Sequence, residues 1–124
     1  MDIDTVLTGY IQCSLWAETD QADDSGGEPL DQNYNESDIA PESLAEIRED
    51  VADFIDANLD ALAEYLSLGF SEDQIGHDFW LTRNHHGAGF WDRGAGELGD
   101  HLTKQAYAYG SSDIYVGDDG KLYV

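Results

Sequence analysis

The sequence predicts an α+β domain: a small, mostly antiparallel three-stranded sheet packed against helices, in the order α-α-β-α-β-β. Three observations predict it. Apolar residues recur every three or four positions in three segments. The aromatic-rich run "HDFWLTR" at 77–83 reads as a strand. The C-terminal "SSDIYVGDDGKLYV" alternates on both sides of "GDDG", the pattern of a hairpin with a tight turn. With 124 residues, 41% of them hydrophobic, the chain supports one domain (1–124) with a core of its own.

The first helix is expected over about 4–18, where Ile3, Val6, Leu7, Tyr10, Ile11 and Leu15 share a face and Asp4 is placed to cap the start. Residues 19–40 form a long acidic loop by composition, with Pro29, Leu30, Tyr34 and Ile39 available to pin it. The strongest periodicity covers 41–67. Leu44, Ile47, Val51, Phe54, Ile55, Leu59, Leu62 and Leu66 define one apolar stripe, Pro41 suits the first turn, and Gly69 suits the position past the end. After the 77–83 strand and the Gly-rich "NHHGAG", Leu98, Leu102, Ala106 and Tyr109 predict a further helix ending at Gly110. The hairpin completes the sheet.

Charge sets the functional question. There are 27 acidic and five basic residues, a net charge of −22. Residues 1–76 carry 20 of the acids and only Arg48. A chain of this sign lacks the basic footprint for direct nucleic-acid binding or for an anionic membrane surface. The one cysteine, Cys13, rules out a disulfide within the chain and reads as a small buried hydrophobe, in keeping with a reducing cytoplasm. No run approaches the ~18–20 apolar residues of a membrane span.

The face of the 41–67 helix opposite its apolar stripe carries Glu42, Glu46, Glu49, Asp50, Asp53, Asp56, Asp60 and Glu64. An ordinary solvated face mixes lysine with glutamate, whereas here like-charged neighbours stand three or four residues apart along the whole face, each such pair costing roughly 0.2–0.5 kcal/mol. Stability alone does not account for such a face. Steps of three or four residues rise about 5–6 Å along a helix. B-DNA presents a charge every ~3.4 Å of axis per strand, so carboxylate rows can imitate its charge density. Glu46, Glu49, Asp50, Asp53, Asp56 and Asp60, with Asp23 and Asp24 from the loop, are the candidate partner-binding residues.

The segment "RNHHGAGFWDRGAGELGD" at 83–100 is the rival. Arg83, His85, His86, Trp91 and Arg93 are its candidate ligand or partner contacts. His85 and His86, adjacent in an extended stretch, point to opposite sides and make poor joint metal ligands. No metal-binding or G-x-G-x-x-G motif accompanies them, and no nucleophile motif supports a His–Asp pair with Asp92. No cofactor, metal or enzymatic role is therefore expected. As scaffold, Gly87 and Gly89 turn the chain, Phe90 and Trp91 fill a corner, and the arginines pair with Asp78, Asp92, Glu97 or Asp100.

"GHDFWLTRNHHGAGFWDRG", followed by "ELGDHLTKQAYAYGSSDIYVGDDGKLYV", resembles a family of small acidic proteins encoded by tailed phages and prophages. "YIQCSLWAETD" and "GEPLDQNYNESDIAPESL" fit the same pattern, so the resemblance spans nearly the whole chain. It carries no catalytic residues across. It implies a phage product acting in the cytoplasm of a bacterial host. By class-level analogy the expectation is a non-enzymatic inhibitor of a DNA-binding defence system, anti-CRISPR or anti-restriction in type, that mimics DNA in a basic channel. The alternative is an accessory protein binding a ligand or host protein through Arg83–Arg93. The C-terminal hairpin edge could also pair two copies into a homodimer.

Overall fold

The computed structural model describes residues 1–19 and 27–124. Among these residues five helices account for most of the structure: α1 (Ile3–Ala17), α2 (Pro41–Ala57), α3 (Leu59–Ser67), α4 (Glu72–Arg83) and α5 (Glu97–Tyr107). The sheet has two short antiparallel strands, β1 (Tyr115–Val116) and β2 (Leu122–Tyr123), with Tyr115 opposite Tyr123 and Val116 opposite Leu122. The expected α+β fold with a three-stranded sheet is therefore corrected to a helical domain with one small hairpin.

The error lies in "HDFWLTR", which is the second half of α4. Ile75, Asp78, Phe79, Trp80, Leu81, Thr82 and Arg83 are all buried, so the helix has no solvent stripe to reveal its period. A short run buried on every side looks the same as helix or strand. The deciding signal stood upstream: "SEDQ" at 71–74 has the Ser-x-x-Gln spacing of a helix start, with Glu72 and Asp73 in the first turn.

α1 and α4 form the central pair, crossing so closely that only glycine fits. A Cβ on Gly9 would overlap the Asp73 carbonyl, and one on Gly76 would overlap the Val6 carbonyl. α1 is capped two residues before the expected position. Asp2 is the N-cap, its carboxylate accepting from Asp4 N–H (3.1 Å) and the Thr5 hydroxyl (2.9 Å). Asp4 instead pairs with Arg48 at 2.7 Å.

The expected 41–67 helix is interrupted at Asn58, whose backbone (φ −131°, ψ 28°) leaves the helical region. The buried Asn58 amide donates to the Phe54 carbonyl at 2.9 Å, a side-chain bond that competes with the backbone ladder. Gly69 follows α3 at φ +102°, a left-handed position that favours glycine.

One core joins these elements. Phe54 of α2 stacks on Phe79 of α4, with ring centroids 4.1 Å apart, and Tyr10, Tyr65 and Phe90 surround them. Leu30 and Ile39 enter the same core from the 27–40 segment. β2 docks there too, where Ala40 N–H donates to the Leu122 carbonyl at 2.8 Å.

Candidate functional site

The acidic face is built by α2. Glu42, Glu46, Glu49, Asp53 and Asp56 advance by four, three, four and three residues. At 100° per residue they stay within about 40° of one line. Ser43, Ile47, Val51, Phe54 and Ile55 bury the opposite side. All five acids on the line are exposed, as are Asp60 and Glu64 beyond the break at Asn58. Because a helix rises ~1.5 Å per residue, the α2 row is about 20 Å long.

Two of the named acids have internal partners. Asp50 lies at the edge of the row, half-buried, and accepts from Arg83 Nη1 at 2.9 Å. Asp53 is exposed and accepts from the Tyr109 hydroxyl at 2.6 Å. Glu46, Glu49, Asp56 and Asp60 are exposed, while Asp23 and Asp24 fall outside the described residues. Three arginines are tied up in ion pairs: Arg48 with Asp4, Arg83 with Asp50 and Arg93 with Asp78. Outside those pairs the sequence holds 24 acids and two lysines.

The 83–100 segment divides in two. Arg83 is buried and serves the fold. It donates from Nε to the Gly110 carbonyl (2.8 Å), from Nη2 to the Tyr109 carbonyl (3.1 Å) and from Nη1 to the Tyr10 hydroxyl (3.2 Å) as well as to Asp50. Its guanidinium also lies 5.3 Å from the Phe79 ring centre. Its acidic partner is thus Asp50, 33 residues away, and not one of the nearby acids expected. Burial pushes the Tyr10 phenol up to about 12, against the opposing pull of Arg83.

Arg93 does pair with Asp78, which is fully buried. Its Nε and Nη2 reach Oδ1 at 3.0 and 2.7 Å, while Oδ2 accepts from the buried Tyr65 hydroxyl at 2.5 Å. The hydrogen bond to Asp78 raises the Arg93 guanidinium above its ordinary value. Burial, and then the bond to Asp78, push the Tyr65 phenol far up.

The histidine pair terminates α4. His86 N–H donates to the Leu81 carbonyl (2.8 Å) and His85 N–H to the Thr82 carbonyl (3.1 Å). This is the doubled bond of a Schellman cap, and His85 sits in its left-handed position at φ +52°. The His85 ring stacks on Tyr107 at 4.5 Å, and the His86 ring lies 5.3 Å from Trp80. The two rings thus rest on different partners, and His86 faces a cavity.

That cavity, about 550 Å³, opens between α1, α4 and the 86–93 loop. Trp16, His77, Leu81, His86, Ala88 and Arg93 form its wall, with the Cys13 side chain also contributing. Burial pushes the Cys13 thiol up to about 12, so the lone cysteine remains a protonated hydrophobe. Sequence reasoning missed Trp16 and His77. Trp16 was detectable: it follows Thr8 and Gln12 at intervals of four on the exposed stripe of α1, where an aromatic is out of place. Trp91 is half-exposed and lies outside this wall.

Among the described residues no group of three His, Cys, Asp or Glu side chains is gathered to hold a metal ion, and no helix is long and apolar enough to cross a membrane. No family model, curated protein or solved structure matches the chain.

Proposed function

We propose that this protein is a non-enzymatic inhibitor that mimics DNA and occupies the basic nucleic-acid channel of a bacterial defence complex, anti-CRISPR or anti-restriction in type. The observation that carries the reading is the α2 row. Five exposed carboxylates follow one line about 20 Å long, opposite the buried face, and Asp60 and Glu64 follow across the break. The ion pairing of the arginines supports it further, since each answers an acid outside the line of five carboxylates: Asp4, Asp50 or Asp78. A channel lined with lysine and arginine would exchange phosphates for these carboxylates, with the same electrostatic steering and the same sensitivity to salt. Asp50 is reassigned from partner contact to Arg83 anchor, leaving Glu46, Glu49, Asp53, Asp56 and Asp60 as the contact row.

The test is capture from a bacterial lysate at about 50 and 200 mM salt, the range over which six to ten phosphate-like contacts lose about 10³–10⁵ in affinity. Wild type is compared with the quadruple charge reversal Glu46→Lys, Glu49→Lys, Asp56→Lys, Asp60→Lys. Wild type should retain a nucleic-acid-binding protein at low salt and release it to added duplex DNA, while the reversed chain should retain none. Retention by the reversed chain, or indifference of the complex to duplex DNA, overturns the reading.

A further inference from the structure

The cavity beside Trp16 differs in chemistry from the rest of the molecule. At 27 acids in 124 residues, composition alone would place about two carboxylates among its eight wall residues. Among the described residues none is there. The wall instead carries His77, His86 and Arg93, three of the nine Lys, Arg and His side chains of the chain. Its volume falls within the roughly 300–1,000 Å³ typical of small-molecule sites.

Two features make it a built site. Arg93 is held in place from beneath by the fully buried Asp78, which takes Nε and Nη2 on one oxygen and leaves Nη1 outside that pair. The Arg93 side chain is partly exposed, at 27% of its surface, and the orientation of its guanidinium is set before any ligand arrives. Trp16, 64% exposed, stands between this cavity and a second hollow on its other side. That second hollow shares His77 with the first but carries Asp31 and Glu36 in place of Arg93 and His86, so the arginine side is the one suited to an anion. An exposed indole beside Leu81 and Ala88 accepts a flat ring, and the Arg93 guanidinium with the imidazoles of His77 and His86 offers N–H donors to an oxyanion.

We infer that this cavity binds a small planar aromatic anion, its ring against Trp16 and its carboxylate or phosphate oxygens on Arg93 and the neighbouring His77 and His86. The inference is independent of the acidic face of α2, and salt separates the two. A short contact inside a partly enclosed cavity is screened far less than an exposed carboxylate row.

The experiment is titration of the intact chain, followed at the Trp16 indole N–H by NMR. The probes are indole-3-acetate and adenosine 5′-monophosphate, compared with indole (ring without charge) and with acetate and inorganic phosphate (charge without ring). At least one aromatic anion should shift Trp16 saturably and bind about tenfold or more tightly than indole or the bare anions, about 1.4 kcal/mol in binding. Trp16→Ala, followed at the Leu81 and Ala88 backbone amides, and the double variant His77→Gln, His86→Gln, followed at the Trp16 indole, should each weaken that binding about tenfold, with an unchanged urea midpoint as the control for folding. Arg93→Lys keeps a charge for Asp78 but loses the guanidinium fork, and should weaken binding as well. Affinity for both aromatic anions no greater than for indole, unchanged affinity in Trp16→Ala, or no Trp16 shift with either aromatic anion at millimolar concentration each overturns the inference.

Discussion

Acidic residues do opposite work in two regions of this molecule. In the corner where α4, the 84–96 loop and α5 meet, Asp78 is fully buried and each of its oxygens has a partner, while Asp50 holds the buried Arg83 at 2.9 Å. Along α2, Glu46, Glu49 and Asp56 stand in water on one line, the first two about one helical turn apart and the third two turns further on. The first arrangement is energetically demanding, because removing one partner strands a charge in a low dielectric. The second is permissive, because water and salt screen every member of the row. Burial and pairing, more than residue type, decide which acids specify the fold and which are left for a partner.

The largest expected effect comes from breaking the matched corner. Arg83→Met keeps much of the side chain's volume but removes donors to Asp50, the Tyr10 hydroxyl and the carbonyls of Tyr109 and Gly110. Removing one partner of a fully buried pair costs about 3–5 kcal/mol. Because Asp50 is only half-buried and can rehydrate, the loss here should lie near the lower end, still a large part of a typical stability of about 5–15 kcal/mol. Urea unfolding should show a loss of that size, or no cooperative transition at all. A loss under about 1 kcal/mol would mean that the corner is no more demanding than the α2 face.

Next comes the helix crossing that supports both regions. Alanine normally improves a helix over glycine by about 0.8–1 kcal/mol. At Gly76 the new Cβ meets the backbone of α1, at Val6 and Tyr10, and no flexible side chain can move aside. Overpacking of about 1–3 kcal/mol then outweighs the propensity gain, with rigid backbone placing this site at the upper end. Gly76→Ala should lower stability by a net 1–2 kcal/mol or so, read from the urea midpoint at unchanged slope.

Glu18 stands between the two kinds of acid: half-buried like Asp50, yet facing another carboxylate. Burial first, and then the charge and hydrogen bond of Asp113, push it from its ordinary 4.5 to about 7. The folded state therefore holds a proton that the unfolded chain has already released, so stability falls as pH rises through that window. The contribution is complete below about 4.5 and lost above about 7. Glu18→Gln should match wild type in acid and exceed it above neutrality by on the order of 1 kcal/mol after solvent screening. Parallel stability–pH curves for the two chains would remove Glu18 from this class.

How much of this was legible in the sequence follows the same division. Features set by neighbours along the chain could be read directly: the apolar stripe of α2, the Gly69 terminus, the "GDDG" hairpin and the acidic row. Features set across the fold could not. α4 lost its helical signature because burial on every side erases the polar stripe on which period depends, and Asn58 broke a periodic run through a bond to Phe54 that no pattern displays. Arg83 could be seen to need an acid, but the choice of Asp50 over nearer carboxylates is made by packing. The cavity was least legible, since Trp16, His77, His86 and Arg93 come from three separate parts of the chain. Its one visible trace was a tryptophan on the wrong side of α1.

The smallest effect on stability is also the sharpest test of the contrast. Neutralising Glu46, Glu49 and Asp56 as Glu46→Gln, Glu49→Gln and Asp56→Asn keeps shape and removes three charges from one line. None of the three is an acceptor for the arginines, so no buried partner is stranded. Each like-charge contact relieved returns roughly 0.2–0.5 kcal/mol at low salt, and the weaker helix propensity of Asn takes back a few tenths. The melting temperature should therefore stay level or rise by a few degrees at low salt, with the difference vanishing as salt is raised. A fall of several degrees would show that the row holds the fold together. A level melting curve combined with loss of the captured partner would show that the same charges are dispensable to the fold and necessary to the complex, the separation expected of carboxylates that stand in for phosphates.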